Sequence, residues 1–209
     1  MGSSSVTVYV HSSSGLYWLP VSPVEESPVS DEKEFAKRLS KKDPEAWSIL
    51  YEEYFPRIYR YTLVRVQNQM EAEDLTEQVF VKALDSGHSY RWKGAPVSSW
   101  LFRIARNLII DHWRTDKSKK TSPLDESIVD NEMDPESQAV LNSEINRMIQ
   151  AVGELTEAQR EVIELRFAGG LSVAEVAGLL RKSEGAIKVM QHSALRALRK
   201  KLVDRNHDE

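Results

Sequence analysis

Between Thr121 and Val140 the chain carries six acids (Asp125, Glu126, Asp130, Glu132, Asp134 and Glu136), no base, and Pro123 and Pro135. Such a stretch buries too little apolar area to offset its ordering entropy, and its like charges push it open. It reads as an acidic flexible linker over residues 118–140. The 209 residues must therefore fold as two units, one on each side. With 41% hydrophobic and 29% charged residues, each unit has enough apolar material for a small core. Nine Gly and eight Pro are too few for a many-turned β-sandwich. No apolar run reaches ~20 residues, so membrane insertion is not expected. Without cysteine there is no disulfide, thiol nucleophile or thiolate-bound zinc, which fits a reducing cytoplasm. The N-terminus lacks the basic-then-apolar order of a signal peptide, so a cytoplasmic location is expected.

The net charge of −4 conceals segregation. From Ser89 to Lys120 the bases are Arg91, Lys93, Arg103, Arg106, Arg114, Lys117, Lys119 and Lys120, against Asp111 and Asp116. From Arg181 to Arg205 they are Arg181, Lys182, Lys188, Arg196, Arg199, Lys200, Lys201 and Arg205, against Glu184 and Asp204. Two basic patches far apart on an acidic remainder suit two contacts with one polyanion, although charge runs are also ordinary solvated faces.

Apolar spacing is helical through most of the chain. Residues 1–30 read as a disordered extension: Val6 to Val10 has strand composition, but no pairing partner is evident. Residues 31–117 form the first domain. Asp43-Pro44 is a start signal, an N-cap Asp before Pro at the first helical position. Trp47, Leu50, Tyr51, Tyr54, Ile58 and Tyr61 follow as one stripe, across Pro56, where a kink is expected. A second helix, about Glu71 to Leu84, buries Ala72, Leu75, Val79, Phe80 and Ala83 and exposes Asp74, Glu77, Gln78 and Val81. After a loop from Asp85 to Val97, Ser98 or Ser99 caps a helix from Trp100 to Arg114. Leu101, Ile104, Leu108 and His112 form one of its stripes; Arg103, Asn107, Asp111 and Arg114 form another. Residues 141–204 form the second domain. Leu141, Ile145, Met148 and Ile149 have helical spacing. Thr156 caps a helix ending at Gly169-Gly170, Ser172 caps Val173 to Leu180, and Ser183 caps a last, longer helix. The fold class is all-α: two small helical domains, the C-terminal one a helix-turn-helix.

Two segments carry chemistry. In Ser172 to Leu202 a short helix, a tight turn and a longer helix would bring Lys188, Gln191 and His192 to a major groove, which admits one helix. Ser183 satisfies N-terminal amides that can also approach a phosphate, and Arg196, Arg199 and Lys200 would follow the backbone. An ordinary helical hairpin is the plainer reading. In Tyr90 to Lys120, Tyr90, Trp92, Trp100, Phe102 and Trp113 alternate with bases. Aromatic faces stack unpaired bases while cations track phosphates. Phe102 and Trp113 read better as core residues, and Tyr90 and Trp92 as exposed loop residues. The five His have no metal-ligand spacing and no Gly-rich phosphate loop follows a strand, so neither an enzyme nor a cofactor is expected.

Residues from about Glu34 to Leu202 resemble the bacterial RNA polymerase sigma factors of the extracytoplasmic-function group. Glu71-Ala-Glu-Asp-Leu-Thr-Glu-Gln-Val-Phe-Val-Lys-Ala83 is similar to that family's core-binding helix. Trp100-Leu-Phe-Arg-Ile-Ala-Arg-Asn-Leu-Ile-Ile-Asp-His-Trp-Arg114 resembles its −10-element helix. Leu155-Thr-Glu-Ala-Gln-Arg-Glu-Val-Ile-Glu-Leu-Arg-Phe167 with the helix-turn-helix resembles its −35-element domain. The resemblance implies that Asp74, Leu75, Glu77 and Gln78 dock on the clamp helices of the polymerase's largest subunit, and that the C-terminal domain meets the flap of the second. It implies −10 contacts by Tyr90, Trp92, Arg103, Asn107, Asp111 and Arg114, with Asn107 lining a pocket for a flipped base. It implies −35 contacts by Ser183, Lys188, Val189, Gln191, His192, Ser193 and Arg196. Val189 and Ser193 depart from the common Ser and Arg there. An anti-sigma factor is the implied regulator, and promoter DNA and core polymerase are the implied partners. The alternative is a stand-alone helix-turn-helix regulator on an operator, which leaves the second basic patch and the core-binding-like helix unexplained.

Overall fold

The computed structural model describes residues 31–115 and 150–204, with the backbone of 7–12 and 15–20. The linker at 118–140, the helical spacing at 141–149 and the remainder of the N-terminal extension lie outside the described residues.

The first domain has four helices: α1 (Glu32–Ser40), α2 (Pro44–Val66), α3 (Gln69–Ser86) and α4 (Val97–Thr115). Asp43 caps α2 as expected, accepting from the amides of Glu45 and Ala46, and the helix runs on through Pro56. Asn68 starts α3 by accepting from the Glu71 amide, two residues ahead of the expected first turn. The start of α4 is a correction. It begins at Val97, so Ser98 and Ser99 lie inside the helix and are buried. The Glu32 carboxylate takes over the capping, accepting from the Val97 amide at 3.0 Å. A distant acid at a helix N-terminus does what a local hydroxyl was expected to do.

Leu39, Leu50, Tyr54, Ile58, Tyr61, Val79, Leu101, Phe102 and Ile109 fill the core of this domain. Thr62 and Thr76 are buried with them. Their hydroxyls lie 2.9 Å apart and bond to backbone carbonyls, which satisfies both and ties α2 to α3.

The second domain contains the helical residues 150–153, α5 (Glu157–Ile163), α6 (Val173–Leu180) and α7 (Glu184–Asp204). Thr156 and Ser172 each close a reciprocal capping box, with Gln159 and Glu175. α5 runs into a π-helical turn, Glu164–Ala168, where the Gly169 amide reaches back to the Glu164 carbonyl at 2.9 Å. Arg181, with φ 54°, makes the turn between α6 and α7.

The two domains are packed against each other. Val162, Leu165, Leu171, Val176 and Ile187 belong to the same apolar cluster as the first domain's core. Ala151, Leu155, Ile163, Ala194 and Leu198 form a separate, smaller cluster.

The extension also brings a correction. Thr7–Ser12 (β1) pairs antiparallel with Gly15–Pro20 (β2), in register Thr7↔Pro20 to Ser12↔Gly15. The partner missed in the sequence is Leu16-Tyr17-Trp18-Leu19, rich in the aromatic residues that strands favour. Among their described residues both domains contain helices and loops but no strand, and no helix among those is long and apolar enough to cross a membrane.

Candidate nucleic-acid interface

On α4 the inner stripe Leu101, Ile104, Leu108 and His112 faces the domain, and His112 Nε2 lies 3.1 Å from a Glu71 carboxylate oxygen on α3. The opposite stripe, Arg103, Asn107, Asp111 and Arg114, is exposed along its length. Asp111 and Arg114 form a loose pair at 3.8 Å, open to solvent and correspondingly weak. Asn107 is exposed, with Arg103 one turn before it and Arg114 two turns after it on the same stripe, and its amide carries both a donor and an acceptor.

The loop before α4 is less open than its sequence suggests. Tyr90 is half-buried rather than exposed: its ring stacks on Trp100 with centroids 4.4 Å apart. Burial, with Glu32 nearby, pushes its hydroxyl up to about 12. Trp92 is exposed. It lines a groove of about 690 Å³ with Asp31, Lys33 and Lys37 of α1 and with His88 and Arg91. Reading the sequence in segments missed the contribution of α1; Lys33 and Lys37, one turn apart, were the available signal. Phe102 is core, as expected, but Trp113 is 37% exposed and meets His112 edge-on. It sits in the last turn of α4, beyond the reach of the core.

On α7 the positions Ile187, Ala194 and Leu198 are buried, whereas Lys188, Val189, His192, Ser193 and Arg196 are exposed; Val189 is 69% accessible. Gln191 is half-buried. It lies between Ile187 and Ala194 on the inner side, and its amide oxygen accepts from Arg166 Nε at 3.0 Å. Ser183 caps α7 by accepting from the Ala186 amide, and Ser193 accepts from Gln159 of α5.

On α3, Asp74, Glu77 and Gln78 are exposed, but Leu75 is 5% exposed and packs in the core, so it offers no surface to a partner. The acidic row is flanked instead by Val81, at 59% exposure, and by Tyr51 of α2, at 48%. The Tyr51 ring rests on Phe55 and Phe80 at 4.9 and 5.0 Å. The α2 stripe hid Tyr51 among core positions; its neighbour Phe80 is what holds it at the surface. No group of three or more His, Asp or Glu among the described residues could hold a metal ion.

Comparison with known proteins bears on these surfaces. The family model for sigma-70 region 2 matches residues 50–119, and that for sigma-70 region 4 matches 151–200. The ECF RNA polymerase sigma factor BldN of Streptomyces coelicolor is 34% identical over 184 residues, covering 87% of this chain and 70% of that protein. This chain belongs to the extracytoplasmic-function sigma factors. The fold agrees with CnrH, solved in complex with the cytosolic domain of CnrY, at a TM-score of 0.63 and 20% identity, over 83% of this chain and 97% of that one. It also agrees with RpoE of Bartonella quintana, solved in complex with the anti-sigma factor NepR, at 0.57 and 22%, over 74% and 95%. As an alternative sigma factor, the protein directs promoter-specific transcription initiation by RNA polymerase, and the reading as a stand-alone regulator is not favoured. In this sigma factor the α4 stripe and α7 lie within regions 2 and 4 respectively.

Proposed function

We propose that the two exposed faces divide promoter recognition between them. Residues 31–117 act as the region 2 domain and 141–204 as the region 4 domain. Lys188, Val189, His192, Ser193 and Arg196 read the −35 duplex, with Gln191 orienting Arg166 behind them. Asn107 holds a base taken from the melted −10 strand, Arg103 and Arg114 meet the phosphates, and Trp92 stacks beside the groove. Unstacking a base costs a few kcal/mol, so the pocket must bind the open strand better than the duplex by at least that much. Asp74, Glu77 and Gln78 dock on core polymerase, together with Tyr51 and Val81 in place of Leu75. The polymerase supplies the phosphoryl transfer, so the sigma factor is not itself an enzyme. It acts in the cytoplasm, and an anti-sigma factor holds it inactive, as NepR is bound to RpoE of Bartonella quintana.

The observation that carries this reading is the outward-facing Asn107 amide, set within the exposed Arg103–Arg114 stripe and opposite a buried one. Asn is a mediocre helix former because its amide competes for backbone hydrogen bonds. Asn107→Ala is expected to lower preference for one base of the −10 element about tenfold, while core binding and −35 duplex binding stay unchanged. Permanganate footprinting of open complexes, on promoters carrying each of the four bases at that position, measures it. An unchanged order of preference removes Asn107 from the pocket.

A further inference from the structure

Val189 differs in chemistry from the residues around it. Lys188, His192, Ser193 and Arg196 share its exposed face of α7, and each carries a polar group that water can hold. Val189 carries none, yet among the described residues only Met70 is a more exposed large hydrophobic. A single exposed apolar residue is ordinary on a protein surface. This one stands in the first half of α7, beside Lys188 and one turn before His192, while the core positions Ile187 and Ala194 turn the other way. It is also stiff. A β-branched side chain in a helix keeps one χ1 rotamer about 90% of the time, so the direction of its two methyl groups is set before anything binds. Ser193, on the same face, is already engaged. Its hydroxyl oxygen accepts from Gln159 Nε2 at 3.0 Å, and Gln159 is itself held by the Thr156 hydroxyl, which donates to its Oε1 at 2.9 Å. Ser193 is left to donate outward, to an acceptor such as a phosphate oxygen.

We infer that Val189 selects a thymine in the −35 element by covering its 5-methyl group. The inference rests on the proposal that this face of α7 reads the −35 duplex. The groups that tell base pairs apart in the major groove are donors and acceptors, except for the thymine methyl. Valine cannot bond a phosphate. Set over adenine, guanine or the amino group of cytosine, it would strip water from a polar edge and return no hydrogen bond. Over thymine it takes apolar surface on both partners out of water. One side chain thus supplies an attraction to the right base and a penalty on the wrong ones. The charge of Lys188 and Arg196 strengthens binding to any duplex; Val189 adds choice without adding charge. The methyl can be tested by itself. It is the only difference between thymine and uracil, and 5-methylcytosine carries the same group on another base.

Holoenzyme assembled from the full chain and core polymerase is used to select duplexes from a promoter library randomised through the −35 element. Selection is expected to fix a thymine at one position, and Val189→Ser to relax that position. In the selected duplex, uracil in place of that thymine is expected to weaken binding about fourfold, the worth of one methyl group. At the same position 5-methylcytosine, paired with guanine, is expected to bind about fourfold tighter than cytosine. Holoenzyme carrying Val189→Ser should show neither difference, with helicity unchanged because Val189 buries little. Leu195→Ser, which removes the other exposed large apolar residue described on α7, should keep both differences. No thymine that responds to loss of its methyl, a response that survives Val189→Ser, or one that vanishes in Leu195→Ser instead, overturns the inference. The two readings fail separately. Sequence-selective −35 binding with no methyl dependence leaves the −35 reading standing, whereas selection that fixes no −35 base removes that reading and this inference with it.

Discussion

Glu164 is 3% exposed and lies near Arg65 and Tyr61 on α2 and Glu157 and Arg160 on α5. Burial raises its carboxyl from 4.5 to about 7, although Arg65 pulls the other way. The folded state thus favours the proton more than the unfolded chain, in which the carboxyl returns to its ordinary value. The stability contributed by this group is fully present below about 4.5 and is lost as pH rises through about 7. Acidifying from about pH 8 to about pH 5.5 is therefore expected to increase the contribution of this group to folding stability. Glu164→Gln, neutral and of the same shape, is expected to flatten that dependence, as read by the thermal unfolding midpoint across the range. A single residue can also carry a site assignment or remove it. Leu75 stands one position from an exposed neighbour, and the helical period turns it inward while Asp74 faces out.

Caps and turns decide where each helix starts and how two helices meet. The Ser172–Glu175 box satisfies the first amides of α6 and so sets the angle at which the helix-turn-helix is entered. Ser172→Ala is expected to cost about 1 kcal/mol of stability, seen as a lower midpoint in thermal or urea unfolding. Its effect should exceed that of a solvated surface serine such as Ser48, because Glu175 also holds Ser98 of α4 and loses its orientation with the cap. The π turn has a similar double use. By inserting an extra residue before Gly169, it turns Glu164 toward Arg65 and leaves three carbonyls for Arg57 and Arg60. Neither use is visible in α5 read as an isolated amphipathic helix.

Taken as one body, the protein joins its two domains through Arg–Glu contacts of graded exposure. Arg65 and Glu164 are nearly covered, whereas Glu157 is largely open and Arg106 partly so. Salt screens the open pairs far more than the covered one. Raising ionic strength from about 0.05 to about 0.5 M is therefore expected to lower the thermal unfolding midpoint modestly, and less in Arg106→Gln, which already lacks one open pair. The apolar contacts of Val162, Leu165 and Phe102 are not screened by salt and should preserve most of the stability.

Most of the helices, the helix-turn-helix and the cationic α4 and α7 faces were legible in the residues, because helical period, capping signals and charge clusters are local properties that act over a few positions. The family likeness was legible for the same reason: its motifs are short and their order is linear. Long-range partners were not. Glu32 capping α4, α1 lining the groove beside Trp92, Tyr90 stacked on Trp100 and the hairpin pairing of Thr7–Ser12 with Gly15–Pro20 all depend on residues that meet only when the chain folds back. The packing of the two domains against each other is the clearest case. Arg57, Arg60, Arg65 and Arg106 are spread over two helices and read as ordinary solvated charges. Their acceptors lie 55 to 113 residues away, across the acidic linker. A charge acquires a structural role from whatever stands within about 4 Å of it, and that distance is set by packing rather than by position along the chain.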